Sequence, residues 1–460
     1  MFLEKIKSDG LAHLSYIFGD NGQAAVIDPR RDCEIYLDIA YREGAKITHI
    51  FETHRNEDYV IGSCELASLT DAVIYHGGDL PFKFGQTARE GDCFLFGNFE
   101  LRVIATPGHT FESLSFVLSD TEFSDAPLAV FTGDALFIGD VGRTDFFPDQ
   151  AEEVAGLLYD SIFDKILPLG DEVLLYPAHG AGSVCGSGMA SREFSSLGYE
   201  RRHNPSLQVK NRDQFIRMKL AEKHSQPSYF KKMEEYNLAG PPLLGSLPRP
   251  KPYNADEFDQ AIKDGMLAID VRSPEAFAGA YIPGSLAIPL DMLPVYAGWF
   301  IPYDRDLGLV LSRGSDWKAA TRYLVRLGYD RIVAVLDQGL HEWETSGRRY
   351  DRIPAVYAGE LQRRIEEKED FTLLDVRKPD EIEQGTLPGS TFIFLGDLSQ
   401  ELDKIPSARP ITTFCGSGRR AIIAASILKK NGFDQVENCL GSMEACEAIG
   451  CRITKSSGAK

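Results

Sequence analysis

The sequence predicts a multidomain α/β protein: a sheet-rich domain over residues 1–245, then two copies of a smaller parallel-sheet domain over 246–352 and 353–460. Two observations carry this. The chain has 460 residues, enough for about three domains at about 150 residues each. Its second half also repeats itself. Asp270-Val271-Arg272 and Ile282-Pro283-Gly284-Ser285 recur as Asp375-Val376-Arg377 and Leu387-Pro388-Gly389-Ser390, an offset of 105 in both motifs, and Gly328-Tyr329-Asp330 recurs as Gly432-Phe433-Asp434 at 104. One fold used twice is the simplest account.

Composition bounds the rest. Hydrophobic residues make up 43% and charged residues 25%, the balance of a folded globular protein with several cores. Lys and Arg number 49 against 68 Asp and Glu, a net charge of −19. That surface repels phosphate backbones and anionic lipid, which excludes nucleic acid and membrane surfaces as expected partners. The first residues lack the apolar core of a signal peptide and no apolar stretch is long enough to span a bilayer, so a cytoplasmic address is expected. The eight cysteines (33, 64, 93, 185, 415, 439, 446 and 451) show no CxxC spacing. In a reducing compartment they are expected to be free thiols.

Along the first domain, short strand-like runs follow one another, and four of them end in a metal-ligand type. ITHIFET leads into His54, ELRVIAT through Pro107-Gly108 into His109, APLAVFTG into Asp134 and EVLLYPA into His179. Loops at strand ends are where such sheets carry their sites, so these four groups can converge on one edge. The Pro- and Gly-rich segment 238–252 reads as a linker, and a weaker break falls at 347–356. Each later copy alternates apolar runs (LAID, LGLVLS, RIVAVL; then TLLDV, PITTF) with amphipathic stretches, which favours parallel sheets.

In the second copy the run ITTF ends in Cys415-Gly416-Ser417-Gly418-Arg419-Arg420, and the helical stretch AIIAASILKKNG follows. A cysteine at a helix mouth faces unpaired backbone N–H groups and the positive end of the dipole. Arg419 and Arg420 add positive potential, and the glycines let the amides curl toward the sulfur, all of which favours a thiolate and a persulfide anion. In the first copy, the strand LGLVL runs instead into Ser312-Arg313-Gly314-Ser315-Asp316-Trp317, with no cysteine and a negative charge where an anion would sit. Residues 246–352 are therefore expected to be catalytically silent, with a packing or docking role.

These motifs resemble known families. Thr53-His54-Arg55-Asn56-Glu57-Asp58-Tyr59, Pro107-Gly108-His109-Thr110, Thr132-Gly133-Asp134 and Pro177-Ala178-His179-Gly180 resemble the metallo-β-lactamase superfamily signature (T-H-x-H-x-D-H and its later ligands) over roughly 1–240. The resemblance implies an αββα sandwich. Asn56 and Tyr59 stand where the dinuclear hydrolases of the superfamily have histidines, so a second metal site is expected to be lost. What remains is His54, His109 and Asp134, a two-histidine, one-carboxylate set that suits one non-haem Fe(II) per chain and leaves positions for substrate and O₂. Asp58 and His179 are then expected behind the ligands, orienting them or a bound water.

Within the superfamily the sequence resembles the persulfide dioxygenases most. Gly139-Asp140-Val141-Gly142-Arg143-Thr144-Asp145 looks like their Gly-Arg segment, which makes Arg143 the expected contact for an anionic thiol carrier. Cys185, shortly after His179, is an accessory-thiol candidate by proximity alone. Cys415, Gly418 and Arg420 match the C-x-x-G-x-R loop of the rhodaneses, and the two Asp-Val-Arg and Pro-Gly-Ser motifs fit the same family. There Cys415 would take a sulfane sulfur and hand it on, with Arg419 and Arg420 as its charged partners and Gly416, Ser417 and Gly418 as the loop cradling the transferred sulfur. Together the motifs resemble persulfide dioxygenase–rhodanese fusions. The resemblance implies oxidation of a low-molecular-weight thiol persulfide such as glutathione persulfide by O₂ to sulfite, sulfite–thiosulfate interconversion at Cys415, a role in sulfide detoxification, and a homo-oligomer. Two other readings stay open on the residues: a zinc-dependent thioester hydrolase of the glyoxalase II type, and a sulfur carrier in which only Cys415 is active.

Overall fold

A strand that is apolar on both faces has to be covered on both sides, and much of the first half of the chain is built of such strands. In the computed structural model, which describes residues 1–183, 186, 188–224 and 226–454, eleven strands form two sheets there. The first sheet holds β1 (Phe2–Ser8), β2 (His13–Asp20), β3 (Gln23–Ile27), β4 (Lys46–Phe51), β5 (Val73–His76) and β6 (Gln86–Thr87) in sequence order. The second holds β7 (Cys93–Phe96), β8 (Phe99–Ala105), β9 (Leu114–Asp120), β10 (Pro127–Gly133) and β11 (Leu174–Pro177) in the order β11-β10-β9-β8-β7.

Alternation sorts the side chains. Leu14, Tyr16 and Phe18 of β2 point into the layer shared with Phe116 of β9 and Phe131 of β10. Ile17, between them, faces the other way, with Ile39 and Leu66 of the helices Glu34–Arg42 and Ser63–Thr70. On the far side, Val117 and Val130 lie under Leu158 and Phe215 of the helices Ala151–Asp160 and Arg212–Ala221. The result is helix, sheet, sheet, helix: the expected αββα sandwich. Truncating one of its central rings, such as Phe131, to alanine costs about 3–5 kcal/mol.

Strand direction places the site. β8 and β10 both run antiparallel to β9, and β11 runs parallel to β10, so β8, β10 and β11 all end at the same edge. β4 of the other sheet ends three residues before His54. Gly133, at the end of β10, has φ +53°, and a Cβ there would stand 2.7 Å from the Thr53 side chain. Only glycine lets β10 close on the loop that carries His54.

The chain divides into two compact units, Met1–Ser246 with Val325–Gly328, and the remainder from Leu247 on. The second unit contains both repeats. One sheet is β12 (Lys251–Tyr253), β13 (Leu267–Asp270), β14 (Leu286–Ala287), β15 (Leu307–Val310) and β16 (Ile332–Leu336), in the order β12-β16-β15-β13-β14. The other is β17 (Ala355–Val356), β18 (Thr372–Asp375), β19 (Ser390–Phe392), β20 (Ile411–Phe414) and β21 (Val436–Cys439), in the order β17-β21-β20-β18-β19. The two orders are the same, and every pair in both sheets is parallel. β13 and β18 are buried at every position, as central parallel strands must be. The break at 347–356 ends in β17, an edge strand of the second sheet.

The repeated Asp-Val-Arg motif is a brace. Arg272 forks onto Asp270 (2.6 Å) and also donates to the Ala280 carbonyl (2.7 Å). Arg377 does the same with Asp375 (2.7 Å) and the Gly385 carbonyl (2.8 Å). Register corrects one sequence reading. Asp270 pairs with Val310, and its counterpart Asp375 pairs with Phe414. The position of Cys415 is therefore held in the first repeat by the buried Leu311, one residue earlier than Ser312. Either residue leaves that repeat without a thiol. Among the described residues, no helix is long and apolar enough to cross a membrane.

Candidate metal centre and thiol site

His54, His109 and Asp134 come together at the sandwich edge, with one ligand atom of each within 4.8 Å of the others. His109 Nε2 lies 3.4 Å from Asp134 Oδ2, and His54 Nε2 lies 3.7 Å from the same oxygen. All three side chains are buried, and none of these three atoms has a hydrogen-bond partner.

The hydrogen bonds around them explain why. Thr53 Oγ1 donates to Asp28 (2.8 Å), so it accepts from His54 Nδ1–H (2.9 Å), which leaves His54 Nε2 with a bare lone pair. His109 Nδ1–H donates to the Arg143 carbonyl (2.9 Å), with the same result at its Nε2. Two bare nitrogens and a carboxylate oxygen facing one another without a donor between them repel unless positive charge joins them. The donor set therefore fits one metal ion.

His179 supports Asp134 from behind. Its Nδ1 is 2.7 Å from Asp134 Oδ1 and its Nε2 is 3.1 Å from Asp58 Oδ2. Burial opposes a charged His179, but the two carboxylates outweigh it and hold the imidazole well above its ordinary value. Burial likewise opposes ionised Asp134, and the three surrounding imidazoles overcome it and keep the carboxyl well below the usual range. Burial pushes His54 down to about 4, which keeps it neutral. At His109, burial is outweighed by Glu57 and Asp134, and its value rises. At Asp134, His179 and His109 the neighbouring groups outweigh burial and favour positive charge at the centre, whereas at His54 burial wins.

The residues that replace family histidines are turned to other uses. Asn56 donates back to the His54 carbonyl (3.2 Å), and its own carbonyl accepts from Asn237 (2.6 Å). Tyr59 is buried with its ring 4.1 Å from that of His13. Among the described residues, the His54–His109–Asp134 group is the one cluster of metal-ligand geometry. Glu57, which sequence reasoning passed over, is fully buried with Oε2 3.7 Å from His109 Nε2. Arg143 is also fully buried, its guanidinium forked onto Asp145 (2.6 and 2.7 Å) and set 4.8 Å over the Phe146 ring. An anionic carrier at this fork would compete with Asp145. Cys185 lies outside the described residues.

In the second unit, Cys415 sits one residue past β20, buried, with the Gly418 N–H donating to its Sγ at 3.1 Å. The helix Arg419–Lys430 begins there and ends with two lysines in its last turn. Gly418 has φ +93°, and a Cβ would stand 3.2 Å from the Cys439 carbonyl oxygen, so the tight loop requires glycine. The loop is braced from the next helix, Ser442–Ile449, whose Met443 and Glu444 N–H groups donate to the carbonyls of Cys415 (3.1 Å) and Gly416 (2.9 Å). Ser417 completes the loop between the two glycines.

The two arginines differ. Arg420 forks onto Glu381 (2.5 and 2.7 Å) and lies beside Gly416, whereas Arg419 reaches out to Asp291 of the first repeat (2.5 Å). Tyr296, in the first repeat's helix Leu293–Phe300, is buried against Arg420 beside Cys415 and Glu381, and burial pushes its hydroxyl up to about 12. No local signal marks Tyr296, because its contact spans the two repeats.

An αββα sandwich with one metal-ligand cluster, followed by two parallel sheets of one topology, defines the class. Comparison with known proteins gives the family. The metallo-beta-lactamase superfamily model matches residues 8–179, and the rhodanese-like domain model matches 254–346 and 357–448. Persulfide dioxygenase ETHE1, mitochondrial, of Mus musculus is 32% identical over 216 residues, covering 44% of this chain and 74% of that protein. The Homo sapiens protein of the same name is 34% identical over 179 residues, 36% of this chain and 63% of that protein. A crystal structure of a metallo-beta-lactamase from Staphylococcus aureus subsp. aureus COL superimposes with a TM-score of 0.65 at 32% identity, covering 73% of this chain and 98% of that one. The chain belongs to the metallo-β-lactamase superfamily, among relatives of the persulfide dioxygenases, with two rhodanese-like domains fused behind that domain.

Proposed function

We propose that this protein is an iron-dependent persulfide dioxygenase coupled to a sulfurtransferase, acting in sulfide detoxification in the cytoplasm. The observation that carries the reading is the buried His54–His109–Asp134 cluster, whose lone pairs converge on a single ion position. The first reaction is RSSH + O₂ + H₂O → RSH + SO₃²⁻ + 2H⁺, with RSH a low-molecular-weight thiol. An Fe(II) held by the three residues supplies the redox chemistry that lets dioxygen react with a sulfane sulfur.

The chain's own residues do the rest. Thr53 and the Arg143 carbonyl hold the two imidazoles in the tautomer that presents Nε2. His179 and Asp58 fix Asp134 so that Oδ2 stays free for the ion. Burial of the cluster keeps bulk water from the reacting sulfur. Arg143 remains the proposed contact for the carrier's anionic end, once Asp145 gives way.

At the second site, the Cys415 thiolate attacks a sulfane sulfur, displaces its former partner and becomes a persulfide. Sulfite then attacks the outer sulfur, so thiosulfate leaves and the thiolate returns. The Gly418 N–H and the paired Arg420 lie where negative charge moves during both steps.

The test is oxygen uptake by Fe(II)-reconstituted protein given glutathione persulfide, with sulfite and thiosulfate quantified in the same sample. Uptake with either product supports the reading. No uptake by iron-loaded protein, with a second carrier persulfide also tried, overturns the oxidation half. Two zinc ions per chain with thioester hydrolysis would instead establish the hydrolase reading.

A further inference from the structure

We propose that Cys446 and Cys451 form a second thiol site, separate from Cys415, at which a low-molecular-weight disulfide is reduced while the pair closes into an internal disulfide. The helix Ser442–Ile449 ends at Gly450, whose φ is +76°. Beyond it the Cys451 N–H turns back to the Cys446 carbonyl at 2.9 Å, and the Gly450 N–H reaches that of Glu447 at 3.1 Å. A glycine-centred cap of this kind brings the side chains of its two outer partners into contact. Here both partners are cysteines, which is the neighbourhood a disulfide needs. Cys446 is completely buried in a core with Phe414, Cys439 and Met443, and Cys451 packs against that core while staying partly exposed.

The two thiols are ordered for exchange. Cys451 Sγ donates to Gln362 Oε1 at 3.7 Å, and Cys446 donates to Cys451 in turn. Burial, helped by that hydrogen bond, pushes the Cys446 thiol up, so it keeps its proton until Cys451 has reacted. Cys451 also lines a cavity of about 440 Å³, together with Gln362, Leu387, Glu366, Lys368 and Arg452. The two cations outnumber the one carboxylate there, which suits a disulfide that carries carboxylates of its own. Cys415 lies outside this site: Phe414 points into the core beside Cys446, and Cys415, next along the chain, turns to its own loop.

The exchange has two steps. The Cys451 thiolate attacks one sulfur of RSSR; the S–S bond breaks, RS⁻ leaves and takes up the proton that Cys451 gave, and Cys451 is left as a mixed disulfide. Cys446 then attacks the Cys451 sulfur, and a second RSH leaves with the Cys446 proton. In sum, RSSR and two thiols give two RSH and the Cys446–Cys451 disulfide, so the external disulfide is reduced and the pair is oxidised. The inference uses neither the metal centre nor the reactions proposed above.

The experiment exposes the full chain carrying Cys415→Ser, which removes the thiol of the other site, to glutathione disulfide, and places each change by mass spectrometry of its peptides. The expected result is a Cys446–Cys451 link, seen as the loss of two hydrogens and reversed by dithiothreitol. With Cys446→Ala added, Cys451 is expected to retain one glutathionyl group. With Cys451→Ser added instead, the buried Cys446 is expected to stay unmodified. A pair that stays reduced, a glutathionyl group that persists on Cys451 while Cys446 is present, or a link from Cys446 to Cys439 would overturn the proposal. If Cys446→Ala fails to fold, Cys446→Ser takes its place, and the link formed in the chain that retains both thiols still decides.

Discussion

His179 holds Asp134 through a 2.7 Å contact between Nδ1 and Oδ1, and so leaves Asp134 Oδ2 as the oxygen that faces His54 and His109. One carboxylate is thereby divided between a supporting partner and an ion. Removing the support should cost binding strength while every direct donor remains. His179→Ala is expected to weaken Fe(II) binding about 10–100-fold, read by chelator competition with folding verified by circular dichroism.

The convergence of bare donors also makes the ion part of the first unit's stability. At an ion concentration a hundred times its dissociation constant, binding adds about 2.7 kcal/mol, or about 5–10 °C for a unit of this size. Differential scanning calorimetry with and without Fe(II) measures it. Coincident melting of the first unit in both states would mean that the donors hold no ion.

The two chemistries should separate by mutation. Cys415→Ser is expected to abolish transfer of sulfur from thiosulfate to cyanide and to leave persulfide-dependent oxygen uptake within about twofold. His54→Ala should do the reverse. A combined assay of both activities on both variants checks this, and loss of both activities in either variant would count against two independent sites.

Tyr296 comes from the first repeat but sits against Arg420 of the second. Tyr296→Phe keeps the ring and removes the hydroxyl, so stability should change by about 1 kcal/mol, the net worth of a typical hydrogen bond. Sulfur transfer is expected to fall several-fold while oxygen uptake stays constant. Steady-state rates for both reactions test it.

Acid should loosen the same loop. Burial pushes the Glu381 carboxyl up, but the hydrogen bonds and charge of Arg420 outweigh it and hold the value below the ordinary one. A depressed folded value means the pair stabilises the fold above the unfolded value of about 4.3 and loses that contribution as pH falls through the folded value. Denaturant midpoints measured across pH 3–7 should therefore fall more steeply toward acid in the parent than in Glu381→Gln.

Much of this architecture was legible in sequence because each signal was local. His54, His109 and Asp134 each follow a strand and a short turn, and the strand directions that bring them together obey the pattern of the runs before them. Cys415 was marked by its glycines and the helix after it. Glu57 and Tyr296 were not legible. Glu57 lies in an irregular loop, where no period says which way a side chain points, and Tyr296 matters only through packing between repeats. The counterpart of Cys415 was read one residue late because the apolar run LGLVL was taken as strand to its last residue, whereas pairing ends β15 at Val310 and gives Leu311 the position, in agreement with the 104-residue offset of the later motif.

The Asp–Arg brace survives intact in both repeats, although only one of them has kept its thiol. What the repeats have in common is thus the means of folding, while the loop that follows β15 and β20 differs between them. The first copy, without a thiol at that position, still presents Asp291 and Tyr296 to the loop of the second.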